Sequence, residues 1–145
     1  MLDTTYILPA FGIHVDVAPA SEIKEILRKY AERGVLLYVS EVSIFEAYVK
    51  TIAVAKKRKI PNLFGKAVDG VITMLNDPMI SIMDYKESEI LEEASKILKS
   101  HNDPFDAIIF ATAVVKDIKL ATEGKDAEDF LSRERILKWQ DFIIL

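Results

Sequence analysis

Carboxylate side chains recur at or near the predicted ends of buried strands and the starts of helices: Asp3, Glu46, Asp106, Glu123 and Asp126. Carboxylates packed together raise one another's pKa, so such clusters are tolerated mainly where a cation neutralises them. The chain has no cysteine and two histidines, and oxygen ligands without a histidine cluster favour Mg²⁺ or Mn²⁺. The predicted chemistry acts on phosphate groups, because such an ion activates water and stabilises phosphate charge.

Strands alternate with helices along the chain. Apolar runs predict buried strands at residues 35–39, 79–83, 120–122 and 136–145, after a short apolar start at residues 1–2. Helices are predicted at residues 6–11, 21–33, 43–59, 62–76, 88–100 and 104–116. The alternation predicts an α/β layer fold with a mostly parallel sheet. In such folds, ligand sites form beyond the carboxyl ends of the strands, near a topological switch point.

Three acids have an alternative, purely structural interpretation. Asp103 is predicted to cap the helix that Pro104 begins, and capping alone explains it. Asp106 lies in the first turn, where the helix dipole favours an anion, but a second acid exceeds what capping requires and is interpreted as a metal ligand. Glu46 can pair with Lys50 at i,i+4, and this ion pair is compatible with a ligand role.

Composition limits the class of protein. A chain of 145 residues that is 50% hydrophobic fits one domain over residues 1–145. The absence of cysteine excludes disulfides, zinc–thiolate sites and iron–sulfur clusters. The net charge of −4 argues against a protein that coats nucleic acid. No signal peptide and no membrane span are predicted, so we expect a cytoplasmic protein without a membrane partner.

Four segments resemble the motifs of PIN-domain nucleases. Residues 3–5 (Asp-Thr-Thr) resemble the D-[ST]-[STN] opening, and residues 43–46 with Lys50 resemble S-x-[WF]-E-x-x-x-K. Residues 101–106 resemble the H-x-D-P-F-D segment of the toxin branch called VapC, and Thr122 matches the threonine of a terminal T-x-D. The order and spacing of the segments match over nearly the whole chain.

The resemblance implies a PIN-like, Rossmann-like three-layer fold with a mostly parallel central sheet flanked by helices. It implies a Mg²⁺- or Mn²⁺-dependent endoribonuclease with Asp3, Glu46 and Asp106 as catalytic acids and metal ligands. It also implies RNA as substrate, a homodimer and a small antitoxin of the VapBC type. Glu123 or Asp126 would complete the metal shell. Three further residues are expected to orient a ligand or contact the substrate: Thr5, Lys50 and Thr122.

One departure from the motifs keeps a second function open. The T-x-D pattern places aspartate at position 124, where this chain has Gly124. Glu123, Asp126 and Asp129 are near enough in sequence for any of them to supply the missing oxygen. The departure bears on a second metal ion more than on the first. The alternative is a catalytically weak or inactive PIN-like binding module.

Two further expectations concern a phosphatase and the carboxyl-terminal end. A haloacid-dehalogenase-type phosphatase with Asp3 as nucleophile would carry D-x-D, and Thr5 at the third position of that motif argues against it. The apolar tail, residues 142–145, would be costly to expose and supports a dimer. Trp139 is the only tryptophan of the chain and is expected to pack at the edge of the core.

Overall fold

The computed structural model describes residues 1–143, whose backbone forms parallel strands between helices. β1 (Leu37–Ser40) pairs with β2 (Ile80–Met83), and β3 (Leu120–Ala121) pairs with β4 (Ile136–Leu137), both in parallel. Leu2 forms parallel bridges to Val39 and Ala121 and so joins the two pairs in the order β2–β1–Leu2–β3–β4.

Helices occupy the six predicted regions, with one more near the carboxyl terminus. They are Thr4–Ile7 (α1), Ala20–Glu32 (α2), Glu41–Arg58 (α3), Asn62–Asn76 (α4), Ser88–Ile97 (α5), Pro104–Val115 (α6) and Trp139–Ile143 (α7). Short 3₁₀ helices cover Leu8–Phe11, Asp126–Asp129 and Arg133–Arg135. No helix between residues 1 and 143 is long and apolar enough to cross a bilayer. The fold is the predicted α/β arrangement with a parallel sheet.

The two faces of the sheet carry separate hydrophobic clusters. Neighbouring residues of each strand point to opposite faces, and Leu120 and Ala121 accordingly belong to different clusters. Side chains of α5 and α6 build the cluster that contains Leu120. Side chains of α1 to α4 and α7 pack in the cluster that contains Leu2 and Ala121. Helices therefore cover both faces, and the functional edge lies at the carboxyl ends of the strands.

Several predicted boundaries shift by a few residues. α3 begins at Glu41 because the Ser40 hydroxyl caps it, accepting a hydrogen bond from the Val42 amide at 3.2 Å. α2 begins one residue before its predicted cap, Ser21, and a proline occupies the capping position. The N-cap position of α4 belongs to Pro61 rather than to the predicted Asn62. β1 begins at residue 37 rather than 35.

The prediction of a final strand over residues 136–145 is wrong beyond Leu137. The chain turns into α7, whose start is stabilised because the Asp141 carboxylate accepts a hydrogen bond from the Lys138 amide at 2.8 Å. Phe142 then packs against the Tyr30 ring at a centroid distance of 5.1 Å and is only 6% exposed. Phe142 is therefore buried within the chain and does not support the dimer expected from an exposed apolar tail. Residues 144–145 lie outside the described residues.

Gly70 allows α4 to pack closely on the sequence that follows α1. A methyl group at this position would lie 2.5 Å from two ring carbons of Phe11. The Phe11 ring is completely buried and has little room to move. By contrast, a methyl group at Gly65, one turn earlier on α4, meets no atom within 4 Å. The absence of a side chain matters at Gly70 and not at Gly65.

We predict that Gly70→Ala lowers the free energy of unfolding by about 1–3 kcal/mol, because the buried ring must shift to admit the methyl group. Gly65→Ala is the matched control on the same helix and should raise stability by about 0.5–1 kcal/mol. Urea denaturation monitored by circular dichroism measures both values. Equal changes in the two variants would contradict the close packing of Gly70 on Phe11.

Candidate active site

The site lies at the point in the sheet where the strand order reverses. From Leu2, the chain adds β1 and β2 on one side and later β3 and β4 on the other. Such a switch point opens a crevice at the carboxyl ends of the strands. Asp3 is the residue directly after Leu2, and its amide donates to the Ala121 carbonyl at 2.9 Å. Its carboxylate is thus placed at the crevice by backbone pairing.

Two hydrogen bonds fix the Asp3 carboxylate. Oδ1 accepts from the Thr4 amide at 2.6 Å, and Oδ2 accepts from the buried Thr122 hydroxyl at 2.6 Å. Burial raises the pKa of Asp3, and the charge of Glu46 adds to the rise, while the Thr122 and Thr4 hydrogen bonds oppose it. The Thr122 hydroxyl therefore holds one oxygen of this carboxylate, and its expected effect on a ligand or substrate stays a prediction.

Glu46 faces the same crevice from α3 and is 5% exposed. Its Oε2 accepts a hydrogen bond from the Thr4 hydroxyl, and its Oε1 lies 2.6 Å from the Lys50 ammonium. Burial lowers the pKa of Lys50, but the hydrogen bond and charge of Glu46 and the charges of Asp3 and Asp106 raise it overall. Lys50 therefore pairs directly with Glu46, and the negative charges of Asp3 and Asp106 act on it as well.

Asp106 approaches from α6. The Asp103 carboxylate caps this helix, accepting from the Phe105 amide at 2.9 Å and the Asp106 amide at 3.4 Å, as predicted. The Asp106 Oδ2 atom lies 3.2 Å from His101 Nε2. Burial raises the pKa of Asp106, and the charges of Asp103 and Asp3 raise it further, while the contact with His101 opposes the rise.

Asp126 is the candidate fourth acid that lies beside Asp106. Among residues 1–143, one group of three acidic or histidine side chains has its ligand atoms within 4.8 Å of one another, and it comprises His101, Asp106 and Asp126. Asp126 is exposed at the start of a 3₁₀ helix after β3. Asp129, the alternative proposed from sequence, is not part of this group.

Glu123 has different neighbours. Its Oε1 accepts a hydrogen bond from the Tyr6 hydroxyl at 2.5 Å and from the Trp139 amide at 2.7 Å. Burial raises the pKa of Tyr6, and its hydrogen bond to Glu123 raises it further, so the phenol remains a donor. The carboxylate therefore ties α1 to the start of α7. A metal-ligand role for Glu123 stays a prediction.

Gly124 leaves space for the Thr122 hydroxyl. The Gly124 amide donates to Thr122 Oγ1 at 3.1 Å, and a Cβ at position 124 would lie 3.3 Å from the same oxygen. An aspartate here would require that hydroxyl to shift by a few tenths of an ångström. Because the hydroxyl also donates to Asp3, the residue type at position 124 and the orientation of Asp3 are coupled.

Two features of the site were not predicted from the sequence. Thr4, not Thr5, donates its hydroxyl to an acid, and the Thr5 side chain makes no hydrogen bond with residues 1–143. An interaction of Thr5 with a metal-bound water stays a prediction. The second feature is an aromatic pair beside the acids, Phe45 and Phe105, with ring centroids 6.2 Å apart and Phe45 57% exposed. Its members adjoin Glu46 and Asp106 in sequence, which was the available signal.

The set of ligand atoms fits a hard divalent cation. The Lys50 ammonium pairs with Glu46 at 2.6 Å, the charges of Asp3 and Asp106 also raise its pKa, and burial raises the pKa of both aspartates. The ligand oxygens of these three acids do not all lie within 4.8 Å of one another. Mg²⁺ and Mn²⁺ prefer such oxygen ligands, commonly together with waters. The residues therefore fit the ion that the acidic pattern predicts.

Comparison with known proteins places this geometry in a family context. A family model described as the PIN domain matches residues 1–131, which is most of the chain. PIN domains are generally nucleases and typically bind divalent metal ions. No curated protein matches the chain at a significant level.

We predict that Thr4→Val lowers the free energy of unfolding by about 1–3 kcal/mol, because the buried Glu46 carboxylate loses a hydrogen-bond donor. Thr5→Val is the matched control in the adjacent position and should change stability by no more than about 0.5 kcal/mol. Urea denaturation in the presence of chelator measures both. Similar losses in the two variants would show that the Thr4 hydroxyl has no special role.

Proposed function

The chain belongs to the PIN domain family, and we propose that it is a Mg²⁺- or Mn²⁺-dependent endoribonuclease that hydrolyses phosphodiester bonds. The observation that carries the proposal is the placement of Asp3 and Glu46 at the switch point of the sheet, where Thr4 donates its amide to Asp3 and its hydroxyl to Glu46, with Asp106 close enough for its charge to act on the same lysine. Acids held this close without a cation raise one another's pKa, so the arrangement favours cation binding.

The acids would hold the ion, and the neighbouring groups would hold the acids. Thr122 and Thr4 keep Asp3 and Glu46 turned toward the crevice. Asp126 is the candidate for a fourth ligand that lies nearest to Asp106. When bound, the ion polarises the scissile phosphate and lowers the pKa of an attacking water. Lys50, no longer needed for neutralisation, can donate its hydrogen bonds to a phosphate oxygen.

RNA as substrate and the toxin role are drawn from the VapC-like segment at residues 101–106. We propose a VapBC-type pair with a small antitoxin and a cytoplasmic location. An apolar cavity of about 380 Å³ between α1, α2 and α4 supports a protein partner. Its lining includes Ile23, Leu27, Met74 and Ile80, which could receive apolar side chains of such a partner.

A homodimer is also part of the proposal. Four large apolar side chains form an exposed row on α4: Phe64, Val68, Ile72 and Leu75. Their spacing of three or four residues places them on one face of the helix. Burying a contiguous apolar row against a second copy would remove it from water. The row replaces the tail residues as the structural argument for self-association.

The alternative is a PIN-like module that binds metal or RNA without cleavage. Gly124 favours it, since this position lacks the acid of the T-x-D pattern. The displaced Asp126 is exposed, and a loosely held ligand would weaken a second ion first. Metal binding by a folded protein that leaves every RNA intact would support this alternative.

We predict that wild-type protein cleaves a mixed RNA pool with Mg²⁺ or Mn²⁺ but not with chelator, and that Asp106→Asn lowers the rate at least about 100-fold. The ions should raise the melting temperature of wild type and not of the variant, since a ligand that binds only the folded state stabilises it. Gel electrophoresis and thermal unfolding measure the two effects.

Asp103→Asn is the control for this prediction. It removes the same charge from the same helical turn, and asparagine caps a helix as well as aspartate does. It should retain cleavage and the thermal response to metal. Metal-dependent cleavage that survives Asp106→Asn unchanged would argue against the proposed site.

We predict that the chain sediments as a dimer at micromolar concentration and that Ile72→Glu shifts it to a monomer. Ile72 is 53% exposed within the row, and a buried unpaired charge there would oppose association. Leu91→Glu is the control, because Leu91 is 42% exposed on a different helix, α5. A monomeric wild type would remove the homodimer from the proposal.

A further inference from the structure

A second cavity, of about 480 Å³, is lined by residues that follow β3 and β4, at the same edge of the sheet as the candidate active site. Its lining includes Glu123, Lys125, Lys138 and Trp139. We propose that this cavity is a nucleotide subsite, in which one base of a single-stranded RNA stacks on Trp139 and the two lysines hold an adjoining phosphate. The identity of the ligand rests on the proposed function, and the site extends it by naming where RNA lies next to the acids.

The cavity is at the functional edge of the sheet. Glu123 is the residue directly after Thr122, and consecutive Cα atoms are about 3.8 Å apart. The Thr122 hydroxyl in turn donates to Asp3. Lys138 and Trp139 directly follow β4, the neighbour of β3. In parallel α/β sheets this edge is where ligands bind. A strand of RNA with one phosphate at the acids can therefore place a nearby nucleotide in the cavity.

Trp139 is held as a rigid surface. Its amide donates to the Glu123 carboxylate at 2.7 Å. Its ring packs against Tyr6 and Phe142 at centroid distances of 6.3 and 6.2 Å. The indole is nevertheless only partly buried, and it lines the cavity. An aromatic group already ordered before binding loses little conformational entropy on stacking, which favours association.

The lysines supply charge complementarity to a phosphate. The Lys138 ammonium donates to the Gly124 carbonyl at 3.2 Å, which holds it beside the loop that follows β3. Neither Lys138 nor Lys125 forms an ion pair with any residue from 1 to 143. Five lysines between residues 1 and 143 do form ion pairs: Lys29, Lys50, Lys86, Lys96 and Lys116. The unpaired cations therefore remain available for an external anion.

The acidic side chains on the wall favour a nucleotide over a simple anion. Glu123 and Glu128 line the same cavity, and carboxylates accept hydrogen bonds from the amino groups of bases. Stacking tolerates any base, whereas the carboxylates would discriminate among bases with amino groups on their edges. A single-stranded RNA offers a base, its amino edge and a phosphate together, which matches the three kinds of group present.

The test uses the fluorescence of Trp139, the only tryptophan of the chain. Wild-type protein in chelator is titrated with hexauridylate and with hexaadenylate, so that binding is read without cleavage. We expect saturable quenching of the tryptophan emission. The double variant Lys125→Gln/Lys138→Gln should bind more weakly, and the magnitude of the slope of log affinity against log salt should fall by about 0.7, because one neutralised phosphate is lost.

Two further sets of variants complete the test. Lys99→Gln/Lys119→Gln removes the same charge at exposed positions and is the control. Lys119 directly precedes β3 and so lies at the opposite edge of the sheet. This pair should change the salt slope little. Trp139→Ala should weaken binding of a dye-labelled hexamer about 5- to 100-fold, with a smaller loss for Trp139→Phe. If Trp139→Ala fails to fold by circular dichroism, Trp139→Phe and the lysine pairs decide the result.

The outcomes separate the subsite from the proposed reaction. Metal-dependent RNA cleavage without tryptophan quenching would overturn the subsite and leave the nuclease standing. Quenching that depends on Lys125 and Lys138 in a protein that cleaves no RNA would support the subsite and remove the reaction. Equal effects of the two lysine pairs would overturn the subsite, because they would reflect net charge alone.

Discussion

The pairing of Leu2 with both β1 and β3 is the constraint on which the rest of the structure depends. The Leu2 amide donates to the Tyr38 carbonyl at 2.8 Å, and the Ala121 amide donates to the Met1 carbonyl at 2.8 Å. These bonds join two halves of a sheet that otherwise share no strand pair within residues 1–143. Since the next residue is Asp3, the bonds that complete the sheet also place the first acid at its switch point.

The acids gathered at this edge are unfavourable for the folded state without a cation. Burial raises the pKa of Asp3 and Asp106, which means that the fold holds their charged forms at a cost. The chain offsets part of this cost locally, because two threonine hydroxyls donate to Asp3 and Glu46 and the Lys50 ammonium pairs with Glu46. Functional sites commonly retain such destabilising groups when activity needs them.

Features that depend on short-range pattern were predictable from the sequence. The strand–helix alternation, the α6 cap at Asp103 and the convergence of the acids at the carboxyl edge follow from period, capping and topology. The Thr4 hydroxyl was missed because the choice between adjacent threonines depends on which one faces α3. A strand was predicted for the tail because Phe-Ile-Ile-Leu has strand-like composition. The contacts that favour α7 are the hydrogen bond from the Lys138 amide to Asp141 and the packing of Phe142 on Tyr30. The second of these joins residues that are distant in sequence.

The loop after β3 explains why the missing acid at position 124 need not mean a missing site. Thr122 turns toward Asp3, Glu123 turns toward Tyr6 and Trp139, and Asp126 approaches Asp106. Gly124 stands where a side chain would press on the Thr122 hydroxyl. In this loop, the Thr122 hydroxyl orients Asp3 and the Glu123 carboxylate anchors α7, so the next acid along the chain that approaches Asp106 is Asp126. Under the proposed function, Asp126 takes the place of the acid that is missing at position 124.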